Sequence, residues 1–512
     1  MELRYILNHS EALVLLTSAK FSPIAQEVLK EGLDTPPLSA IVDKIDHGAS
    51  NTSHVELTGD AYNAEGGMML YTSGTTARPK GVLLSTMTLV AQAHSLREAW
   101  QYTPRDHLLH VLPLHHIHGT VNALLTPLLA GATVEFMFPF NVDAVWHRFA
   151  APFLDPPSPP NDQTSKPHLR LPITFFTVVP TIWARLLHTH TALPMPILKA
   201  SKQAISRTHL RLNISGSAAL PTPTKLAWST LTAGNVLLER YGMTEVGMAL
   251  SCGLANADRI DGSVGWPLPS VEARLVDPDT GALIAANEDL TADGKERSGE
   301  IQLRGPTIFR GYWRNAEATR KEFTSDGWFK TGDIAVRKLV PGAGEGASGE
   351  WARGAAYFIH GRASADIIKT GGEKVSALEI ERELLGLPQI HDVAVVGLPS
   401  ETWGQKVAAV VVLSEEGLTG GRGGKVWGAM DMRRALRGVL VAYKIPQDLV
   451  VVGGIERSGM GKVNKRVLVE RVFGDGGAVR RRSLDLAEAR AEAKAGAEAE
   501  AKAGERREGG KE

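Results

Sequence analysis

The chain has 512 residues, 43% hydrophobic and 22% charged, an ordinary globular composition with room for two or more domains. Lys+Arg and Asp+Glu both number 56, so no net field recruits nucleic acid or an anionic membrane, and no apolar run approaches the roughly 18 residues of a spanning helix. The single cysteine, Cys252, excludes an internal disulfide framework and a multi-cysteine metal site, which fits a reducing compartment.

The opening stretch MELRYILNHSEALVLL carries Glu2 and Glu11 and has neither an Arg/Ser-rich amphipathic leader nor a signal cleavage pattern. Apolar runs at 11–18, 131–138, 173–180, 210–217 and 235–242 read as buried strands, and the patterns at Thr86–Trp100, 121–129 and 181–188 read as helices between them. This alternation predicts an α/β fold with a largely parallel sheet, in which ligands sit on the loops beyond the carboxyl ends of the strands. The Pro-rich stretch 151–168 reads as an exposed insertion. From Ser263 to about Val336 the pattern becomes β-rich, and 341–349 is a loop. After Arg362 the texture restarts with a Gly-rich turn, a helix at Ala377–Leu385 and strands near 392–398 and 407–413. We expect a large multi-subdomain N-terminal domain over 1–361 with mostly parallel sheets, a small mobile α+β C-terminal domain over 362–475, and a charged tail over 476–512. That tail is rich in Ala, Glu, Lys and Arg without an apolar stripe, so it cannot bury a core and is expected to be disordered.

Residues 71–81, YTSGTTARPKG, follow the apolar GGMML. Ser73, Thr75 and Thr76 offer hydroxyls, Gly74 and Gly81 allow close backbone approach, and Lys80 adds a point charge, a combination suited to a polyphosphate. It is not a Walker A loop: Pro79 stands where that motif needs its second glycine, and no Ser or Thr follows Lys80. The string resembles the signature of the acyl-adenylate-forming (AMP-binding) superfamily, which includes acyl-CoA synthetases, luciferases and the adenylation domains of peptide synthetases. One departure is Ala77, where the family usually has glycine, and the resemblance implies weakened ATP handling there.

The resemblance extends from the start of the chain to about residue 470, and it implies a role for each further motif. Thr72, Ser73, Gly74, Thr75, Thr76 and Lys80 would hold the phosphates of ATP. PLHHIHG (113–119) matches the motif whose histidine lies at the acyl tunnel; His116 takes that position, with His118 nearby and His115 structural. SGSAALP (215–221) brings Ser217, Ala218 and Ala219 beside adenine and the acyl pocket. In YGMTE (241–245), Tyr241 would stack on adenine with Gly242 and Met243 adjoining, Thr244 would bond a phosphate and Glu245 would hold Mg2+, which favours one or two carboxylates beside phosphates. Asp333 in TGD would receive the ribose hydroxyls, and Arg362 is a second nucleotide contact with the hinge near Ser364. Gly371 and Gly372 would meet coenzyme A. GMGKVNKR (459–466) carries the catalytic lysine, Lys462, although Glu456 stands where the family often has proline.

Within the superfamily LLERYGMTEVGMAL, SGSAALP, PLHHIHGTVNALL and PTIWAR are most similar to malonyl-CoA synthetases. There, arginines matching Arg185 and Arg240 and a serine matching Ser217 bind the distal carboxylate, and two buried guanidiniums would penalise an alkyl chain by being left unpaired. The expected activity is ATP-dependent ligation of malonate, with methylmalonate as second substrate, to coenzyme A. The runner-up acids are short- or medium-chain monocarboxylates. A third reading is an inactive homologue, because ELRYILNHSEALVLL resembles a segment that relatives reach only well into their chains, so their first N-terminal segment is expected to be missing here. Partners are then small molecules alone, the resemblance implies a mitochondrial or cytoplasmic location, and oligomeric state is not legible.

Overall fold

The computed structural model describes residues 2–42, 66–72, 79–154, 171–457 and 462–474. Its centre is a seven-stranded sheet in the order Trp266–Pro267, Gly247–Ser251, Leu238–Met243, Leu212–Ser215, Phe175–Val178, His107–His110, Thr133–Phe136. The last five of these run parallel, and the first two turn back antiparallel. Parallel neighbours need crossovers, supplied by helices such as Val142–Ala150, Pro180–His190 and Thr222–Leu231. Alternate side chains divide between two cores: Leu108, Phe175 and Leu238 pack with Trp100 and Met248, while Leu109, Phe176 and Leu237 pack with Trp146, Trp183 and Trp228. The Trp100 layer is delivered by helix Thr86–Trp100, whose start is fixed by Ser85 Oγ accepting from the Thr88 amide at 3.2 Å.

The expected parallel sheet is this one; the two other sheets of three or more strands in the large lobe are antiparallel. Leu283–Ile284, Glu272–Val276, Gly299–Arg304, Phe329–Lys338 and Ala356–Arg362 form one, and Gly311–Tyr312, Lys80–Ser85 and Gly67–Thr72 form another. After Arg362 comes a separate sheet, built from Glu373–Ser376, Ile367–Thr370, Gly404–Leu413 and Ile390–Ser400, with Asp448–Val451 beside Gly404–Leu413. Helices Ala377–Leu385 and Ala429–Leu436 cover one of its faces, and Lys465–Phe473 covers the other. No helix among the described residues is long and apolar enough to cross a membrane.

Three expectations change. The run at 11–18 forms strand Val14–Thr17, but it pairs only with Leu38–Ile41 and is not buried: Leu13 is 78% and Leu38 76% exposed. Val14–Thr17 alternates exposed and half-buried residues and Leu38–Ile41 is exposed throughout, so this two-stranded pair buries little of its apolar surface. Strand Thr133–Phe136 is half-buried, since it is the edge of the central sheet. The helix at 121–129 starts earlier and in a wider winding, as a π-helical stretch His118–Leu125 that continues into Thr126–Leu129. The Pro-rich insertion begins with a helical turn, Ala151–Phe153, and the rest of it lies outside the described residues, as does the charged tail.

On strand Leu238–Met243, Glu239 and Arg240 point to opposite faces. Glu239 Oε1 accepts from Lys225 Nζ at 2.7 Å, and both residues are buried. Removing one partner of such a pair strands the other charge. Lys225→Met is expected to lower unfolding free energy in urea by about 3–5 kcal/mol, far more than a solvent-facing lysine would.

Candidate active site

The carboxyl ends of strands Phe175–Val178, Leu212–Ser215 and Leu238–Met243 converge on a polar cluster, where sheets of this kind hold ligands. Its charge is Arg240, only 4% exposed. Nη2 donates to Ser217 Oγ at 3.3 Å, Nε is buried with no hydrogen-bond partner, and no carboxylate among the described residues forms an ion pair with this guanidinium. The neighbouring Glu239 is already taken by Lys225. Burial pulls the Arg240 guanidinium down to about 9, so it keeps its charge at neutral pH while lacking a counter-ion. Gly216 makes room for it, since a Cβ there would lie 2.5 Å from Arg240 Nε. Ser217 sits at φ +69, a left-handed conformation that costs a serine about 1–3 kcal/mol and tends to persist at functional sites.

Ser217 Oγ also lies 3.3 Å from His118 Nδ1, and His118 Nε2 lies 2.7 Å from Thr177 Oγ1. Burial first, then the Arg240 charge, drives His118 well below the usual histidine range, so it is neutral. Sequence reasoning favoured His116 and left His118 as a neighbour. It missed Thr177 and Asn122, which nothing in their local pattern marks. His116 is half-buried, 4.2 Å from the His115 ring, and is pushed down to about 4 by burial, then His115, then Lys462.

A second group of charges lies where the Gly247–Ser251 and Phe329–Lys338 strands approach the turn 244–246. Gly242 permits that turn, because a Cβ on it would meet the Gly247 carbonyl oxygen. Thr244 is half-buried in the turn, and Glu245 is buried with Oε1 accepting from the Tyr312 hydroxyl at 2.9 Å. Lys80 Nζ lies 3.9 Å from the centre of the Tyr312 ring and 3.8 Å from Glu322. Hairpin Gly67–Thr72/Lys80–Ser85, with Thr72 paired to Lys80, therefore delivers the phosphate-loop lysine next to Glu245. Ser73, Gly74, Thr75 and Thr76 lie outside the described residues. Among those described, no group of three or more His, Cys, Asp or Glu could hold a metal ion. The buried carboxylate of Glu245, near Lys80, fits a magnesium ion carried mainly by substrate phosphates.

Asp333 is buried and doubly held: Tyr241 donates to Oδ2 at 2.5 Å, and Arg362 pairs with Oδ1 at 3.0 Å. Burial outweighs Arg362 and raises the Asp333 carboxyl. Tyr241, expected to meet adenine, Asp333, expected to meet the ribose, and Arg362, the expected second nucleotide contact, thus lie together. Lys462 reaches this group from the small lobe. Although it retains solvent-accessible surface, desolvation and the Arg362 charge lower its ammonium, opposed by Asp333, Glu245 and Asp366. Its approach is fixed by Lys465, three residues on, which pairs with Asp366 at 2.6 Å and Glu381 at 2.9 Å, while Asp366 Oδ2 accepts from the Arg362 amide.

Other predicted residues fall elsewhere. Arg185 is exposed on helix Pro180–His190, its guanidinium 5.3 Å from the centre of the Phe140 ring, so the expected second buried guanidinium is absent; the buried face of that helix belongs to Trp183 and Leu186. Ala218 and Ala219 are exposed at the rim beside Ser217. Gly371 and Gly372, at φ +57 and +85, form the two-residue tip of hairpin Ile367–Thr370/Glu373–Ser376, which Lys374 pins to Asp279 at 2.5 Å; no described contact joins them to Arg240.

A large lobe that gathers the expected nucleotide contacts, with a lysine brought over them by a small lobe, defines the class. The profile of the AMP-binding enzyme family matches residues 1–313, and that of its C-terminal domain matches 379–462. The chain belongs to the AMP-binding enzyme family. A CoA ligase from Gibberella moniliformis is 60% identical over 96% of this chain and 82% of its own length. The mitochondrial malonate–CoA ligase of Mus musculus is 41% identical over 93% of this chain and 76% of its own. Among solved structures, ATP-bound MatB from Rhodopseudomonas palustris superposes with a TM-score of 0.68 at 29% identity, covering 93% of this chain and 82% of that one.

The lowered His116 makes a pH prediction. Below the ordinary value of 6.5 the unfolded chain takes up a proton that the folded chain refuses until about 4, so stability falls as pH drops across that window. The urea midpoint of His116→Gln is expected to decline less steeply over the same range than that of the parent.

Proposed function

We propose that this chain is an ATP-dependent malonate–CoA ligase: it joins malonate to AMP with release of pyrophosphate, then transfers the malonyl group to coenzyme A. The observation that carries the choice of acid is the buried Arg240 guanidinium, hydrogen-bonded to Ser217 and lacking a carboxylate partner among the described residues. A diacid supplies that missing anion at the end of its short chain, whereas an alkyl acid leaves the cation stranded. The mouse relative's named substrate supports the same reading, and methylmalonate, one methyl larger, is the expected second substrate.

In the first half-reaction the near carboxylate of malonate attacks the α-phosphorus, and pyrophosphate departs. Both reactants are anionic, so the work is positioning and charge neutralisation. Lys462 would reach the reacting carboxylate and α-phosphate, Lys80 with Thr72, Ser73, Gly74, Thr75 and Thr76 would hold the outer phosphates, and Thr244 would bond a phosphate oxygen. Mg2+ on Glu245 would supply further neutralisation of the phosphates. Tyr241 and Asp333 exchange their mutual hydrogen bond for adenine and ribose. The small lobe then turns about the 362–366 turn, withdraws Lys462 and presents Gly371 and Gly372 to coenzyme A, whose thiol attacks the acyl carbon as AMP leaves. Cys252 takes no part: it is buried, and burial pushes its thiol up to about 12.

A short- or medium-chain monocarboxylate ligase is the second reading, favoured by the exposure of Arg185, which leaves one buried guanidinium where two were expected. For the whole protein we propose the mitochondrial location named for the mouse relative, to be tested by fractionation of cells expressing it.

Arg240→Met separates the two acids. The diacid reading expects kcat/KM for malonate to fall by the equivalent of about 2–5 kcal/mol, with butyrate unchanged or improved; an unchanged value for malonate refutes it. Lys462→Ala is expected to slow pyrophosphate release by about 10²–10³-fold while ATP still binds, measured by single-turnover adenylation and by titration.

A further inference from the structure

Behind Ser217 runs a chain of buried polar groups that the reaction above does not use. Tyr102, kept protonated by burial, donates its hydroxyl to Asn122 Oδ1 at 3.1 Å and lies 3.2 Å from the Asn122 carbonyl. The amide thus turns its Nδ2 toward Thr177 Oγ1, 3.3 Å away. Asn122 lies in the π-helical stretch His118–Leu125 and Thr177 on the central strand Phe175–Val178, and both are buried.

We propose that Thr177 and Asn122 are positioning residues for acid recognition: by fixing the His118 tautomer they make the Ser217 hydroxyl an obligate donor, next to Arg240 Nε–H, to the far carboxylate of the substrate. The proposal rests on the diacid reading above. The direction of the relay follows from counting protons. Thr177 Oγ1 accepts from Asn122, so its own proton needs an acceptor, and among the described residues the one within reach is His118 Nε2 at 2.7 Å. His118 must then carry its proton on Nδ1 and donate to Ser217 Oγ at 3.3 Å, the oxygen that Arg240 Nη2 also reaches at 3.3 Å. With both lone pairs engaged, Ser217 Oγ can only donate, and no described protein atom accepts from it. Two donors, Ser217 O–H and Arg240 Nε–H, then match the two oxygens of one carboxylate. A methyl group in the same place would leave both unpaired.

A neutral His118 is part of the design, because an imidazolium would repel Arg240 and compete for the same anion. The opposite tautomer, with the proton on Nε2, would make Ser217 donate to His118 and leave it nothing for the substrate.

The tautomer is directly readable. In the wild-type enzyme labelled with 15N-histidine, with the His118 signals assigned against His118→Gln, the proposal expects Nδ1 protonated and Nε2 bare near neutral pH. A proton on Nε2 overturns it, and this measurement needs no variant at the relay. Kinetically, Thr177→Val keeps the shape and removes the hydroxyl. The expected result is a rise of about tenfold in KM for malonate with kcat and the KM for ATP unchanged, and recovery in Thr177→Ser. If Thr177→Val leaves KM for malonate unchanged while Arg240→Met destroys the preference for malonate, the relay is wrong and the diacid reading stands. If Arg240→Met leaves that preference intact, the diacid reading fails and takes the relay with it.

Discussion

A guanidinium inside a protein without a carboxylate beside it is a costly arrangement, since removing an ion from water costs several kcal/mol even after relaxation. Among the described residues Arg240 is such a group, and its surroundings keep it that way. Strand alternation sends Glu239 to the opposite face, where Lys225 occupies it. Gly216 yields space, Ser217 takes a strained backbone to bring its hydroxyl within reach, and His118 stays neutral. On the proposed reading the unmet charge becomes selectivity: the compensating anion arrives with the substrate, so affinity for a diacid and rejection of an alkyl acid come from one interaction.

The nucleotide side follows a different logic, in which opposite charges are satisfied by one another until the ligand arrives. Asp333 is held by Tyr241 and Arg362, and Glu245 by Tyr312, with Lys80 against the same ring. These contacts keep the polar atoms hydrogen-bonded in the free enzyme. Lys462 belongs to another sheet and another core, yet Lys465, Asp366 and Glu381 bolt its neighbourhood to the turn directly after Arg362. One short turn therefore carries both Arg362, the proposed nucleotide contact, and the anchor of the lysine, and that coupling is what a rotation of the small lobe would have to preserve.

Much of this was legible in the residues. Helices Thr86–Trp100 and Ala377–Leu385 begin at serine caps and carry regular apolar spacing, so their limits follow from local chemistry. Strand Phe175–Val178 is a continuous aromatic and β-branched run, as a strand covered on both faces must be. The exposure of Val14–Thr17 was not legible, because an apolar run records that a strand can be buried and not whether a layer covers it. Arg185 and Arg240 look equivalent as letters in two motifs; one lies on the exposed face of a helix and the other is buried on a strand between two others, a difference that packing alone decides. His118 was passed over for a related reason. Which of two histidines two residues apart turns inward depends on a π-helical winding that periodicity does not announce. Thr177 and Asn122 sit in apolar surroundings and acquire meaning only through partners 55 residues apart in the chain.

The proposed selection of the acid rests on one buried cation that no described carboxylate pairs. Its most direct test is the rate of pyrophosphate release by the unmodified enzyme across acetate, butyrate, octanoate, malonate and succinate, each at limiting concentration with saturating ATP. The account predicts the highest kcat/KM for malonate, with octanoate and butyrate far below it. A higher value for either alkyl acid than for malonate would contradict it.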